Sequence, residues 1–146
     1  MTVLYILDTD HLTLLQRNHP AVIARVATLS PEVIATTVVS AMEQVRGRLA
    51  QGHRAKAASE VVTAFARFQE ALLFYRMVPM LPYDEAAATH LARLKQAFSH
   101  SPGTQDLRIA AIALSRQATV VTRNQRDFQG ISGLRLADWS LLTPGD

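Results

Sequence analysis

Residues 3–10 read Val3-Leu4-Tyr5-Ile6-Leu7-Asp8-Thr9-Asp10. Five apolar residues in succession, β-branched and aromatic among them, predict a strand buried on both faces, as in a parallel sheet covered by helices. Two acids around a threonine end the run, and a short helix is expected to about Gln16. Two further stretches have the same character. Val33-Ile34-Ala35-Thr36-Thr37-Val38-Val39 contains a second strand, and Ala118-Thr119-Val120-Val121-Thr122 forms a third.

Between these strands the apolar period is that of helices. Asn18-His19-Pro20 starts one helix, and Val22, Ile23, Val26 and Leu29 form its stripe until Ser30-Pro31-Glu32 breaks it. Ser40 is the expected N-cap of the next, with Glu43 at capping-box spacing and Gly52 as the stop. Val61, Phe65, Phe68, Leu72 and Tyr75 recur along a long helix, as a core face or as a surface for a second subunit. Met77 to Leu81 contains Pro79 and suits an edge or irregular strand. Asp84 caps a helix with Ala87, Leu91, Leu94 and Phe98 inward, and a polar loop follows from Ser99 to Thr104. The helix opened by Asp106 is apolar nearly all round, hence buried, and Leu134-Arg135-Leu136 suits a last short strand. Strands alternating with helices predict an α/β fold with a mainly parallel sheet covered on both faces. At 146 residues, a single domain over 1–146 is expected.

Composition narrows the function. Hydrophobic residues at 49% and charged residues at 18% suit a real core and argue against disorder. No apolar run approaches the ~20 residues that span a bilayer, and Met1 to Leu7 lack the basic start of a signal peptide. Cysteine is absent, which removes disulfides, thiolate metal sites and thiol nucleophiles and suits the cytoplasm. Thirteen of the fifteen cations are Arg, whose planar fork matches phosphate or carboxylate. The net charge of +3 is compatible with a nucleic-acid partner and equally with a solvated surface.

Sites in open α/β sheets form beyond the carboxyl ends of the strands. Asp8 and Asp10 follow the first strand, Glu43 lies one turn into the helix after the second, Asp106 opens the buried helix, and Asn124 and Asp127 follow the third. Taken singly, Asp8 and Asp106 read equally well as helix caps, Glu43 as a capping or Arg46-pairing residue, and Asp127 as a turn residue. Together they are carboxylates at successive strand ends, which repel one another unless a hard cation such as Mg²⁺ or Mn²⁺ neutralises them. Setting Asp8, Glu43, Asp106 and Asp127 aside leaves eight acids against fifteen cations. A basic frame around an acidic hole suits metal-assisted cleavage of a polyanion. His11, His19, His53, His90 and His100 show no ligand spacing and read as surface, helix or loop residues; Trp139 beside Asp138 reads as packing.

Four segments, in order and spacing, resemble PIN-domain ribonucleases: Ile6-Leu7-Asp8-Thr9-Asp10-His11-Leu12, Ser40-Ala41-Met42-Glu43, Asp106-Leu107-Arg108-Ile109-Ala110-Ala111, and Val121-Thr122-Arg123-Asn124-Gln125-Arg126-Asp127-Phe128. Overall the chain is similar to the VapC toxins of bacterial type II toxin–antitoxin modules. The resemblance implies a three-layer α/β/α sandwich and Mg²⁺- or Mn²⁺-dependent endonucleolytic cleavage of RNA, commonly tRNA or rRNA. It also implies control by a VapB-type antitoxin and a homodimer or a heteromer with that antitoxin. Asp8, Glu43 and Asp106 match the family's first three acids. Asn124 stands where a fourth Asp is common, and Asp127 takes over that charge. Asp8 and Asp106 would hold the metal, Glu43 would orient a water or complete the coordination, and Thr9, Ser40 or Thr122 would contact the phosphate or a metal-bound water. Two alternatives stay open: a haloacid-dehalogenase-type phosphatase with Asp8 as nucleophile, and a PIN-like binding module without catalysis.

Overall fold

A five-stranded sheet in the order β3-β2-β1-β4-β5 runs through the centre of the computed structural model, which describes residues 3–98 and 103–141. The strands are β1 (Tyr5–Leu7), β2 (Ile34–Thr37), β3 (Met80–Leu81), β4 (Thr119–Val121) and β5 (Arg135–Ala137), and every neighbouring pair is parallel. The helices are α1 (Thr9–Gln16), α2 (Pro20–Ala27), α3 (Val38–Arg54), α4 (Ala58–Phe74), α5 (Glu85–Ala97), α6 (Thr104–Arg116) and α7 (Gln125–Phe128). Most of the expected 99–104 loop, His100 included, lies outside the described residues.

The period of two in the strands makes the layers. Ile6 of β1 pairs in register with Val120 of β4, and Leu7 with Val121. Ile6 and Val120 pack with Ala87 of α5 and Ile109, Ile112 and Ala113 of α6. Leu7 and Val121 face the other way, onto Val22 of α2 and Trp139. Helices thus cover both faces, giving the three-layer α/β/α sandwich. Because β1 is flanked by β2 on one side and β4 on the other, chain order reverses at β1. That is the switch point where α/β folds open a crevice.

Several boundaries differ from the sequence expectation. α3 begins at Val38, and Thr37 is its N-cap, its Oγ1 accepting from Ser40 N at 3.1 Å. Ser40 is therefore a buried first-turn residue and not the cap; β-branched Val38 and Val39 read as strand, yet Val39 serves the core from a helix. Gly52 does not stop α3, which runs to Arg54. α6 starts at Thr104 with Gly103 as N-cap, so Asp106 sits within its first turn and does not open it. His11 lies in helix α1, one of the places expected for it, but is fully buried and not at the surface. α4 buries only Ala64 and Ala71, and Phe65 and Leu72 of its apolar stripe are exposed, so within one chain that stripe is not a core face. Among the described residues no helix is long and apolar enough to cross a membrane.

Candidate active site

In a parallel sheet all strands deliver their next residue to the same edge, and here that edge collects the acids. Asp8 follows β1 directly and caps α1, its Oδ1 accepting from His11 N at 2.8 Å. Thr9 starts α1 and its hydroxyl donates to Glu43 Oε1 at 2.8 Å, joining the ends of β1 and β2. The rotation of α3 that points Glu43 this way is held by the next residue. Buried Gln44 accepts from Tyr75 Oη at 2.6 Å and from the Gln16 amide at 3.0 Å. Burial pushes the Tyr75 hydroxyl up to about 12, so it remains a donor.

Asp8, Thr9, Asp10, Glu43, Asp106, Arg123 and Asn124 line one cleft of about 320 Å³. A larger hollow of about 400 Å³ between α3 and α4 shares none of these residues. The cleft's electrostatics register in Asp106. Its carboxyl is raised from the ordinary 3.8 to about 6, first by burial and then by the charges of Glu43, Asp127 and Asp8. Three carboxylates from elements far apart in sequence thus act on Asp106.

Asp8, Thr9, Glu43, Asp106 and Asn124 are brought together on the cleft wall. Asp127 stands beside it, accepting from the Asn124 side-chain amide. Ser40 and Thr122 are fully buried: Ser40 packs beside Thr37, and Thr122 Oγ1 accepts from Asn124 N at 2.9 Å, shaping the turn after β4. Sequence reasoning missed Arg123. Its Nε and Nη2 donate to Asp10 Oδ2 and Oδ1 at 2.6 and 2.8 Å, a bidentate pair at the cleft mouth. The signal was available, since Arg123 follows β4 and Asp10 follows β1, and those strands are neighbours.

The donor set suits a hard divalent cation. Asp8, Glu43 and Asp106 offer carboxylate oxygens around one cleft, with Thr9 and Asn124 adding neutral oxygens. Asp8, Asp10 and His11 also place candidate ligand atoms within 4.8 Å of one another. That second grouping is weaker, because both carboxylate oxygens of Asp10 are engaged by Arg123. The first opens onto the cleft of about 320 Å³.

The PIN domain family model matches residues 5–134. The chain belongs to the PIN domain family. It is 39% identical over 70 residues to a tRNA(fMet)-specific endonuclease VapC of Shigella flexneri, a match covering 46% of this chain and 53% of that protein. The chain thus spans about half the length of this curated relative. It is 29% identical over 140 residues to Ribonuclease VapC1 of Haemophilus influenzae strain R2866, covering 94% and 99% of the two chains. The structure of VapBC-1 from nontypeable Haemophilus influenzae superposes with a TM-score of 0.76 at 25% identity, over 95% of this chain and all of that one. The phosphatase alternative finds no support, as the Asp10 it requires as a free acid is clamped by Arg123.

Proposed function

We propose that the protein is a Mg²⁺- or Mn²⁺-dependent endoribonuclease, the toxin of a VapBC-type toxin–antitoxin pair, acting in the cytoplasm as one PIN-like domain over residues 1–146. The observation that carries the reading is the carboxylate cleft, with Asp8, Glu43 and Asp106 on its wall and the Asp106 carboxyl raised to about 6 by burial and its neighbours. The names of the Shigella and Haemophilus relatives support RNA as the substrate class, and that of the Shigella relative supports tRNA in particular.

In this reading Asp8 and Asp106 hold the cation. When bound, a divalent ion neutralises charge on the phosphate under attack and makes a water more acidic. Glu43, steadied by the Thr9 hydroxyl, would orient a water in the cleft and accept its proton. Asn124 and Asp127 form a linked pair that keeps negative charge at the fourth corner. Arg123, half exposed at the mouth, meets the RNA backbone by exchanging Asp10 for a phosphate, which gives binding a salt dependence. The exposed apolar face of α4 suits a second subunit or a VapB-type antitoxin.

The test is cleavage of an end-labelled tRNA by pure protein with Mn²⁺, with EDTA, and with Mn²⁺ restored. Discrete cleavage that EDTA stops and Mn²⁺ returns is expected. Cleavage insensitive to EDTA would refute the metal reading, and no cleavage of tRNA or rRNA would refute the nuclease reading.

A further inference from the structure

Behind the cleft wall lies a histidine that the proposed chemistry does not use. His11, the third residue of α1, is fully buried, with 0% of its surface exposed. Its ring joins two parts of the chain that are 128 positions apart: Nε2 accepts from Trp139 N at 3.2 Å. Asp138 Oδ1 lies 3.5 Å from the same nitrogen, but it already accepts from Ser140 N at 2.8 Å and from the Ser140 hydroxyl.

An imidazole nitrogen that accepts a hydrogen bond carries no proton, so the contact from Trp139 N assigns the ring's N–H to Nδ1. Nδ1 is buried without a hydrogen-bond partner, and Asp8 Oδ1 lies 3.5 Å away. An unsatisfied buried donor is costly, and a small movement of the carboxylate satisfies it. The same Oδ1 accepts the backbone N–H of His11 at 2.8 Å. One residue therefore donates its backbone N–H to Asp8 Oδ1 and places a ring nitrogen 3.5 Å from the same oxygen.

We propose that His11 is a positioning residue for Asp8. The Trp139 N–H selects the tautomer, Nδ1–H draws in Oδ1, and Oδ2 is thereby offered to the cation. The inference rests on the reading of Asp8 as a metal ligand. It also ties the segment after β5 to the cleft, since Asp138-Trp139-Ser140 holds the ring from behind. Carboxylates that ligate a metal are themselves hydrogen-bonded by outer partners, and losing such a partner typically costs about 10–100-fold in metal affinity or activity.

Two substitutions separate positioning from packing. The amide nitrogen of Asn overlays Nδ1 of His, so His11→Asn keeps the donor to Asp8 and loses the acceptor for Trp139. The amide of Gln overlays Nε2, so His11→Gln keeps the Trp139 contact and loses the donor. Mn²⁺ is titrated calorimetrically into metal-free wild type, H11N and H11Q, and each is melted without metal. H11Q is expected to melt near wild type yet bind Mn²⁺ about 10–100-fold more weakly, whereas H11N melts lower yet binds within about threefold of wild type. In wild type, ¹⁵N shifts of the ring should show Nδ1 protonated and Nε2 not. Wild-type affinity in H11Q, affinity falling in step with melting temperature in both variants, or a proton on Nε2 would each overturn the proposal. Failure of wild type itself to bind Mn²⁺ would refute the metal reading on which the proposal rests, a result distinct from any of these.

Discussion

α4 and α6 both present apolar residues at helical spacing, and they meet opposite fates. α6 packs against both the sheet and α5 and buries Leu107 and the whole run Ile109 to Ala113. α4 packs mainly on α3 and buries Ala64 and Ala71, leaving Val62 at 70% and Phe65 at 67% exposed. Periodicity reports that a face needs cover; it does not report whether the same chain supplies it. The difference also divides the labour. The well-covered half holds Asp8 and Asp106 at fixed places on the sheet edge, and the poorly covered half leaves apolar side chains exposed.

The largest expected effect falls on the covered half. Asp8→Asn retains a good N-cap for α1, so the fold should survive. RNA cleavage should nevertheless fall by orders of magnitude, more than the about 10–100-fold typical of losing an outer partner. A labelled-RNA time course together with a thermal melt checks both halves of that statement. Next, Ile112→Ala in α6 should cost about 2–5 kcal/mol in urea unfolding, as the side chain is fully buried against Ile6 and Val120.

A smaller effect concerns pH. The folded-state value of Asp106 is raised to about 6 from an unfolded value near 3.8, so its charge opposes folding above about 6. That opposition fades as pH falls through the interval and is gone below 3.8. Lowering the pH from 7 to 4 should therefore stabilise the metal-free protein through this group, and Asp106→Asn should remove that part of the slope in pH-dependent melts. The smallest expected effect is on α4: Phe65→Ser should change the stability of a single chain by no more than about 0.5 kcal/mol. Sedimentation should show the same substitution weakening association. A large loss of monomer stability would erase the contrast between the two helices.

How much of this was legible in the sequence follows the same contrast. β1, β2 and β4 are short apolar runs whose residues reach both faces, and their order with the helices gives the layers. The acids at their ends could be named because parallel strands share one edge. Helix starts were harder to read: Val38 and Val39 look like strand, and only the sheet's end at Thr37 makes them helical. His11 and Arg123 escaped because their partners, Trp139 and Asp10, stand 128 and 113 positions away, beyond any local spacing rule. The fate of α4 depends on what packs against it, which periodicity does not encode.

The most direct test of the central claim is Mn²⁺ titrated calorimetrically into metal-free wild type and Asp106→Asn at pH 7 and pH 5.5. Asp106, with its carboxyl at about 6, should compete for a proton in this range. Wild type is predicted to bind Mn²⁺ at pH 7 and more weakly at pH 5.5, and Asp106→Asn to bind weakly at both. Equal affinity in the two proteins at both pH values would contradict the claim that these carboxylates share one cation.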